Sequence, residues 1–334
     1  MHCNLPTIHA SQEVVLPSQI GHYQIIKKIG KGGFAVVVLA LDLKTQQKVA
    51  IKIIQRKLMD TNENMKYLES ELRLHSELDH PNIVKIFDVL YEEEFIAIIM
   101  EYCSNGDMFE HIQCHTMFTF TEQLEIANQL IDALNYMHKK GIYHRDIKPE
   151  NILFDSNFRP KIIDFGMSVE EDFCGHSIVG TPIYMAPETF TNQCYDVKKI
   201  DIWSLGVTLH MLSAYAYPWN TCSPAQYIKN AKQGLVEVIV AAPGVMGDLI
   251  KMMLVPDPKE RASYEELIVF LNNTRQHQIS KQKCNIPKIS ASQKFSFKKK
   301  LDISTENLLF RARKTARTRM SKILPSLNNQ IYLH

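Results

Sequence analysis

Residues 142–154 read IYHRDIKPENILF, with His144, Arg145, Asp146, Lys148, Glu150 and Asn151 standing between apolar ends. Burying charge without partners is costly, so a chain that keeps this run must supply the charges with something to meet. The fold turns on what that is, for Asp146 above all.

On the N-terminal side of the run, residues 23–101 read as strands. YQIIKKIG, AVVVLALD, KVAIKII, IVKIFDVL and FIAIIMEY are short, rich in Val and Ile, and bounded by polar turns. One helical stretch, NENMKYLESELRLHSEL, interrupts them and ends before His80 and Pro81. After residue 106 the pattern turns helical. In TEQLEIANQLIDALNYMHKKG, Leu124, Ala127, Leu130, Ile131, Leu134 and Met137 keep helical spacing. Thr121 is the expected cap, two lysines sit in the last turn and Gly141 supplies the stop. KKIDIWSLGVTLHMLSA is apolar nearly all round and predicts a buried central helix. ASYEELIVFLNN closes the compact part. A strand-rich half followed by a helix-rich half predicts an α+β chain of two lobes with a cleft between them.

The 334 residues are 45% hydrophobic and carry both charge signs, which predicts a soluble protein with a large core. Seven scattered cysteines with no Cys-x-x-Cys pair argue against a disulfide framework or a zinc site, and for a reducing compartment, cytoplasmic or nuclear. The longest apolar run, FAVVVLAL, is too short for a membrane span. MHCNLPTIHASQEVV lacks the basic start and apolar centre of a secretory signal. Charge is unevenly spread: residues 275–334 hold 14 Lys or Arg against two acids, a net of +12 that leaves −10 on the rest.

IGKGGFAVVVLA places Gly30, Gly32 and Gly33 between two strands, where absent Cβ atoms let backbone N–H groups approach phosphates. A plain hairpin turn accounts for the same glycines. VAIK puts Lys52 on a strand among apolar neighbours, where a lysine needs an anion. Glu71, on the following helix, is a candidate; a surface lysine beside a solvated helix is the alternative.

HRDIKPEN at 144–151, DFG at 164–166 and APE at 186–188 stand in the order and spacing of the protein-kinase signature set. On these motifs, residues 23–271 resemble the catalytic domain of a eukaryotic Ser/Thr protein kinase, most similar to the calmodulin-dependent and AMP-activated kinase group. The resemblance implies a bilobal fold. Residues 23–101 would form a five-stranded antiparallel sheet with one helix, residues 107–271 a mainly helical lobe, with extensions at 1–22 and 272–334.

It also implies roles. Asp146 would accept the proton of the substrate hydroxyl, Lys148 would steady the γ-phosphate of ATP, and Asn151 and Asp164 would hold Mg²⁺. Lys52, fixed by Glu71, would hold the α- and β-phosphates. The loop Ile29, Gly30, Lys31, Gly32, Gly33, Phe34 and Ala35 would cover the nucleotide, with Ala35 replacing the last glycine of G-x-G-x-x-G. Ile29, Val37, Ala50 and Leu153 would sandwich the adenine, though by spacing alone they are equally ordinary core residues. Backbone groups of Glu101 and Cys103 would meet the adenine, with Met100 guarding the back of the pocket. Asp107 would face the ribose or a basic substrate residue, or simply cap a helix. With Glu150, it would favour a basic residue three places before the target hydroxyl.

DFGMSVEEDFCGHSIVGTPIYMAPE corresponds to the activation segment. Phosphate on Ser177, placed by an upstream kinase, would pair with Arg145 and order the loop. Thr181 would bond to Asp146 and Lys148; Glu188, Arg261 and Asp201 would be structural. His75 stands where relatives carry an aliphatic side chain; it either weakens the active alignment or packs as an imidazole. FSFKKKLDIS and FRARKTARTRMSKILPSL mix basic and apolar residues, which suits calmodulin, an acidic membrane or nucleic acid, or a solvated tail. The expected enzyme is a monomeric Ser/Thr kinase acting on protein substrates; the alternative is a catalytically silent nucleotide-binding scaffold.

Overall fold

The computed structural model describes residues 17–31, 35–58, 62–170, 174–175, 178–191, 194–221 and 223–284. The chain divides into two compact units. The first takes the described residues up to Asp79 together with Val84–Ser104; the second takes His80–Ile83 and the described residues from Asn105 onward.

The first unit is a sheet with one helix. Its strands are β1 (Gln19–Ile20), β2 (Tyr23–Lys31), β3 (Ala35–Asp42), β4 (Lys48–Gln55), β5 (Ile86–Tyr91) and β6 (Phe95–Glu101), and helix α1 (Asn62–Ser76) falls between β4 and β5. The strands pair antiparallel in the order β1-β2-β3-β4-β6-β5. The five expected strands are present, and β1 is a sixth. Gly21 turns it back onto β2 with φ +53°, a conformation open to glycine, and Ile20 is buried opposite Tyr23.

Alternation along the strands separates two faces. Val36, Val38 and Ala40 of β3 join Val49, Ile51, Ile53, Ala97 and Ile99 in one cluster. Ile54, Ile96 and Ile98 face the other way and pack with Leu68 of α1, with Met65 and Leu72 alongside. Helical spacing of 65, 68 and 72 thus lays α1 across the same sheet face that carries Ala50 and Lys52.

The second unit is mainly helical. It contains α2 (Met108–Gln113), α3 (Phe120–Lys139), the short strands β7 (Ile142–Tyr143), β8 (Ile152–Phe154), β9 (Pro160–Ile162), β10 (Val169–Glu170), β11 (Cys174–Gly175) and β12 (Tyr195–Asp196), then α4 (Val197–Ala214), α5 (Pro224–Lys232), α6 (Gly244–Met253) and α7 (Tyr264–Cys284). Thr119, two residues before the expected Thr121, caps α3. Its hydroxyl accepts from Glu122 N at 3.2 Å while Glu122 Oε2 accepts from Thr119 N at 2.7 Å. Only Thr119 stands three residues before a Glu, the spacing this reciprocal cap requires.

Helix α4 is buried along nearly its whole length, as its all-round apolarity predicts. A Cβ on Gly206 would lie 2.8 Å from Met253 Cβ, so the glycine is what lets α6 approach. Helix α7 continues to Cys284, past the point where apolar periodicity fades. Cys194 is disulfide-bonded, contrary to the expectation from scattered cysteines. The described helices include none long and apolar enough to cross a membrane.

Candidate active site

Two groups of the expected residues are assembled, one in each unit. In the first, Lys52 lies between Val37 on β3 and Ile98 on β6, and Ala50 between Leu39 and Met100. Directly paired residues share a face, so Val37, Ala50, Lys52 and Met100 occupy one surface of the sheet. Because α1 crosses that surface at Leu68, Glu71 comes within reach one turn later. Lys52 Nζ donates to Glu71 Oε1 at 3.1 Å, with side chains 27% and 16% exposed. His75 is buried and its Nε2 donates to Val84 O at 2.5 Å, so it packs, tying the end of α1 to the segment before β5.

Gly30 lies opposite Val37 and Lys31 opposite Val36, with Ile29 exposed. Ala35 opens β3 opposite Ile54. Gly32, Gly33 and Phe34 lie outside the described residues. β6 ends at Glu101, whose N–H donates to Lys85 O at 2.9 Å, and Cys103 just beyond it is buried.

In the second unit the loop after β7 is hung from Asp201. This residue sits fully buried in α4 and accepts from the backbone N–H of His144 at 2.9 Å and of Arg145 at 2.8 Å. His138 Nε2 adds a third contact at 2.9 Å. Burial opposes ionisation of Asp201, yet the hydrogen bond and charge of His138, with the His144 contacts, hold its carboxyl below the usual range. Arg145 turns the chain with φ +65°, a strained conformation for a long side chain. The His144 ring then links Ile163 O to Asp146 N, at 3.0 and 3.3 Å.

That suspension fixes Asp146, whose carboxylate meets four donors. Thr181 N and Oγ1 both donate to Oδ1 at 2.9 Å; Lys148 Nζ and Asn151 Nδ2 donate to Oδ2 at 2.7 and 3.2 Å. Lys148 also donates to Thr181 Oγ1 at 2.8 Å, so the hydroxyl receives from the ammonium and passes its own proton toward the carboxylate. Asn151 Nδ2 donates to Asp146 O as well, at 2.9 Å.

Asn151 and Asp164 flank one end of the β8–β9 hairpin, where Ile163 N donates to Asn151 O at 3.0 Å. Asp164 is exposed with φ +66°, between half-buried Ile163 and the fully buried Phe165, whose ring lies 5.3 Å from that of His144. An Asn amide whose nitrogen is spent on Asp146 keeps its oxygen for a hard cation, and Asp164 adds a carboxylate; these donors fit Mg²⁺.

Two acids, Asp107 and Glu150, gather beside this centre. Asp107 caps α2, its Oδ1 accepting from Glu110 N at 2.7 Å, and bridges to Leu153. Burial, then the Glu110 charge, pushes its carboxyl up against the backbone bonds that lower it. Glu150 is also pushed up, mainly by burial, with Asp146 and Asp107 adding to it and Lys148 opposing. Its Oε2 is buried with no hydrogen-bond partner among the described residues.

Arg145 Nε donates to Met167 O at 2.6 Å, and its guanidinium meets the Tyr195 hydroxyl. Burial lowers the Arg145 pKa, with Tyr195 and Asp201 opposing. Ser177 lies outside the described residues. Glu188 and Arg261 form a buried pair at 2.7 and 3.0 Å, with the guanidinium 4.9 Å from the Trp203 ring. The sequence reading did not find His138 or Tyr195. Their partners are 63 and 50 residues distant, and no motif marks either.

Residues 23–270 match the family described as "Protein kinase domain". The chain belongs to the protein kinase family. Among named relatives it is similar to the "Carbon catabolite-derepressing protein kinase" of Candida glabrata, 35% identical over 255 residues, which cover 75% of this chain and 41% of the relative. It is also similar to the "Serine/threonine-protein kinase SIK3 homolog" of Danio rerio, 34% identical over 261 residues, 75% of this chain and 21% of the relative. The kinase chain thus spans less than half the length of these relatives.

Proposed function

We propose that this chain is a Ser/Thr protein kinase that moves the γ-phosphate of ATP onto Ser or Thr hydroxyls of protein substrates. The observation that carries the reading is the Asp146 carboxylate held by Lys148, Asn151 and Thr181 at 3.2 Å or less. Phosphoryl transfer asks a protein for alignment and charge neutralisation more than for covalent chemistry. Asp146 orients the substrate hydroxyl and accepts its proton; Lys148 steadies the transferring phosphate. The Lys148–Thr181 bond is the arrangement that the resemblance attributes to Ser/Thr kinases. Lys52, aimed by Glu71, binds the α- and β-phosphates. Asn151 and Asp164 hold Mg²⁺, which neutralises phosphate charge when bound.

Substrate choice follows from the acids. Asp107 and Glu150, both pushed up by burial, favour a basic residue three places before the target. Once an upstream kinase has modified Ser177, its phosphate pairs with the Arg145 guanidinium. The names of both relatives, which describe protein kinases, support the same class.

Transfer of labelled phosphate to a basic peptide tests the reading. Asp146→Asn is expected to lower kcat about 10²–10⁴-fold, the range of a lost general base, with unfolding unchanged. Equal and negligible incorporation by wild type and D146N, after treatment with an activating kinase, would instead support a silent scaffold.

A further inference from the structure

One buried histidine of α4 holds two connections at once. His210 is 1% exposed, and each ring nitrogen meets a backbone group of fixed character. Nδ1 donates to Ala216 O at 2.7 Å, in the connection from α4 to α5. Nε2 accepts from Ala241 N at 3.0 Å, in the connection from α5 to α6. A carbonyl only accepts and an amide N–H only donates, so Nδ1 carries the proton and Nε2 is bare. The site therefore selects neutral imidazole. A second proton would set a donor against the Ala241 N–H and bury a charge with no acceptor for it.

The same two connections meet again where Ile239 N donates to Pro218 O at 2.8 Å. The first of them carries Tyr217 and Trp219. The Tyr217 ring lies 5.8 Å from that of Tyr184, and the Trp219 ring 4.5 Å from that of Tyr227, whose hydroxyl donates to Met185 O at 2.7 Å. Tyr184 N donates to Thr181 O at 2.9 Å, so this series of contacts ends at the residue that binds Asp146.

We propose that His210 is an acid-releasable clasp, which binds residues 216–219 and 239–241 to α4 while neutral and lets them go when protonated. Burial lowers the His210 pKa, with the Ala216 carbonyl opposing and no charged side chain acting on it. Titratable groups on the elements packed around α4 are engaged elsewhere: His111 of α2 with Asn105 O, His138 of α3 with Asp201 of α4 itself, and Asp248 of α6 with Lys251. Glu237, in the second connection, is exposed. The unfolded chain takes up the proton first. The stability that the clasp contributes is thus complete above the unfolded imidazole value of about 6.5 and is lost as pH falls from there to the lowered folded value.

Urea unfolding of the full chain at about pH 7.5 and about pH 5.5, on either side of the unfolded imidazole value, tests this with wild type beside His210→Gln. Glutamine offers one amide donor and one acceptor but cannot ionise, and the other histidines titrate alike in both chains. The folding equilibrium constant of wild type relative to H210Q is expected to fall by up to about tenfold in acid, the effect of one proton over one pH unit. A ratio that stays constant overturns the proposal. If H210Q does not fold, amide hydrogen exchange of the wild type decides, corrected for the intrinsic rate at each pH. Ile239 and Ala241 are expected to lose protection in acid while Leu205, inside α4, keeps it. Equal protection of Ile239 and Ala241 at both pH values, or a loss that Leu205 shares, overturns the proposal. Neither readout requires kinase activity, so failure here is distinct from failure of the functional reading.

Discussion

Glu150 and Glu188 each follow a proline on a short 3₁₀ turn of the second unit, and their surroundings are opposite. Glu188 is 4% exposed, and both its oxygens accept from Arg261, which is itself bonded to Val255 O and Lys199 O. Glu150 has one oxygen buried without a partner among the described residues, beside Asp146 and Asp107. The same dipeptide therefore serves two ends. A satisfied charge pair holds the fold together, while Glu150 is a buried acid short of partners, which we propose is kept for a basic substrate residue.

The comparison is broken most easily at its satisfied half. Arg261→Met leaves Glu188 buried and unpaired, and is expected to cost about 3–5 kcal/mol in urea unfolding. Phosphoryl transfer per folded molecule stays at the wild-type level. A loss under about 1 kcal/mol would place Glu188 with the weak surface pairs and erase the contrast. Thr181→Val comes next, because it removes the hydroxyl between Lys148 and Asp146. Charge-assisted bonds of about 1.5–3 kcal/mol translate into a kcat loss of roughly 10–100-fold, with Thr181→Ser restoring most of it. Unchanged kcat in T181V would move Thr181 to the structural side.

Glu71→Gln probes a pair of a third kind, partly exposed. Such pairs contribute about 0–1 kcal/mol to stability, so thermal unfolding is expected to stay near wild type. Activity is expected to fall about tenfold, because Lys52 loses the charge that aims it. A stability loss as large as that of R261M would show that the pair serves the fold instead.

The strands were legible because β3, β4 and β6 alternate cleanly between two packed faces, and α4 because its apolarity runs all round. β1 was not, since two residues cannot display an alternation. The cap at Thr119 was misplaced by two positions because helical spacing locates a helix better than its first turn. Asp146, Lys148 and Asn151 stood together in one run of sequence. His138 did not, because its bond to Asp201 joins α3 to α4 across 63 residues without periodicity. Tyr195 was hidden for the same reason, because its contact with Arg145 spans 50 residues.

The smallest effect tests the unsatisfied half. Burial raises the Glu150 carboxyl in the folded chain, so the folded state holds that proton more tightly than the unfolded one. The stability this contributes is complete below the unfolded carboxylate range and is lost as pH rises through the raised folded value. Glu150→Gln cannot ionise. It is therefore expected to match wild type in acid and to exceed it at neutral pH, by a gain on the order of 1 kcal/mol, the cost of one unsatisfied buried group. The same variant is expected to raise KM for a peptide with Arg three places before the target and to leave a neutral peptide unaffected. Urea unfolding across pH, run beside R261M, gives the decision through its sign. Removing a structural acid destabilises, whereas removing an acid held ready for a basic ligand stabilises. A loss in E150Q at neutral pH would mean that Glu150 has a partner in solution and belongs with Glu188.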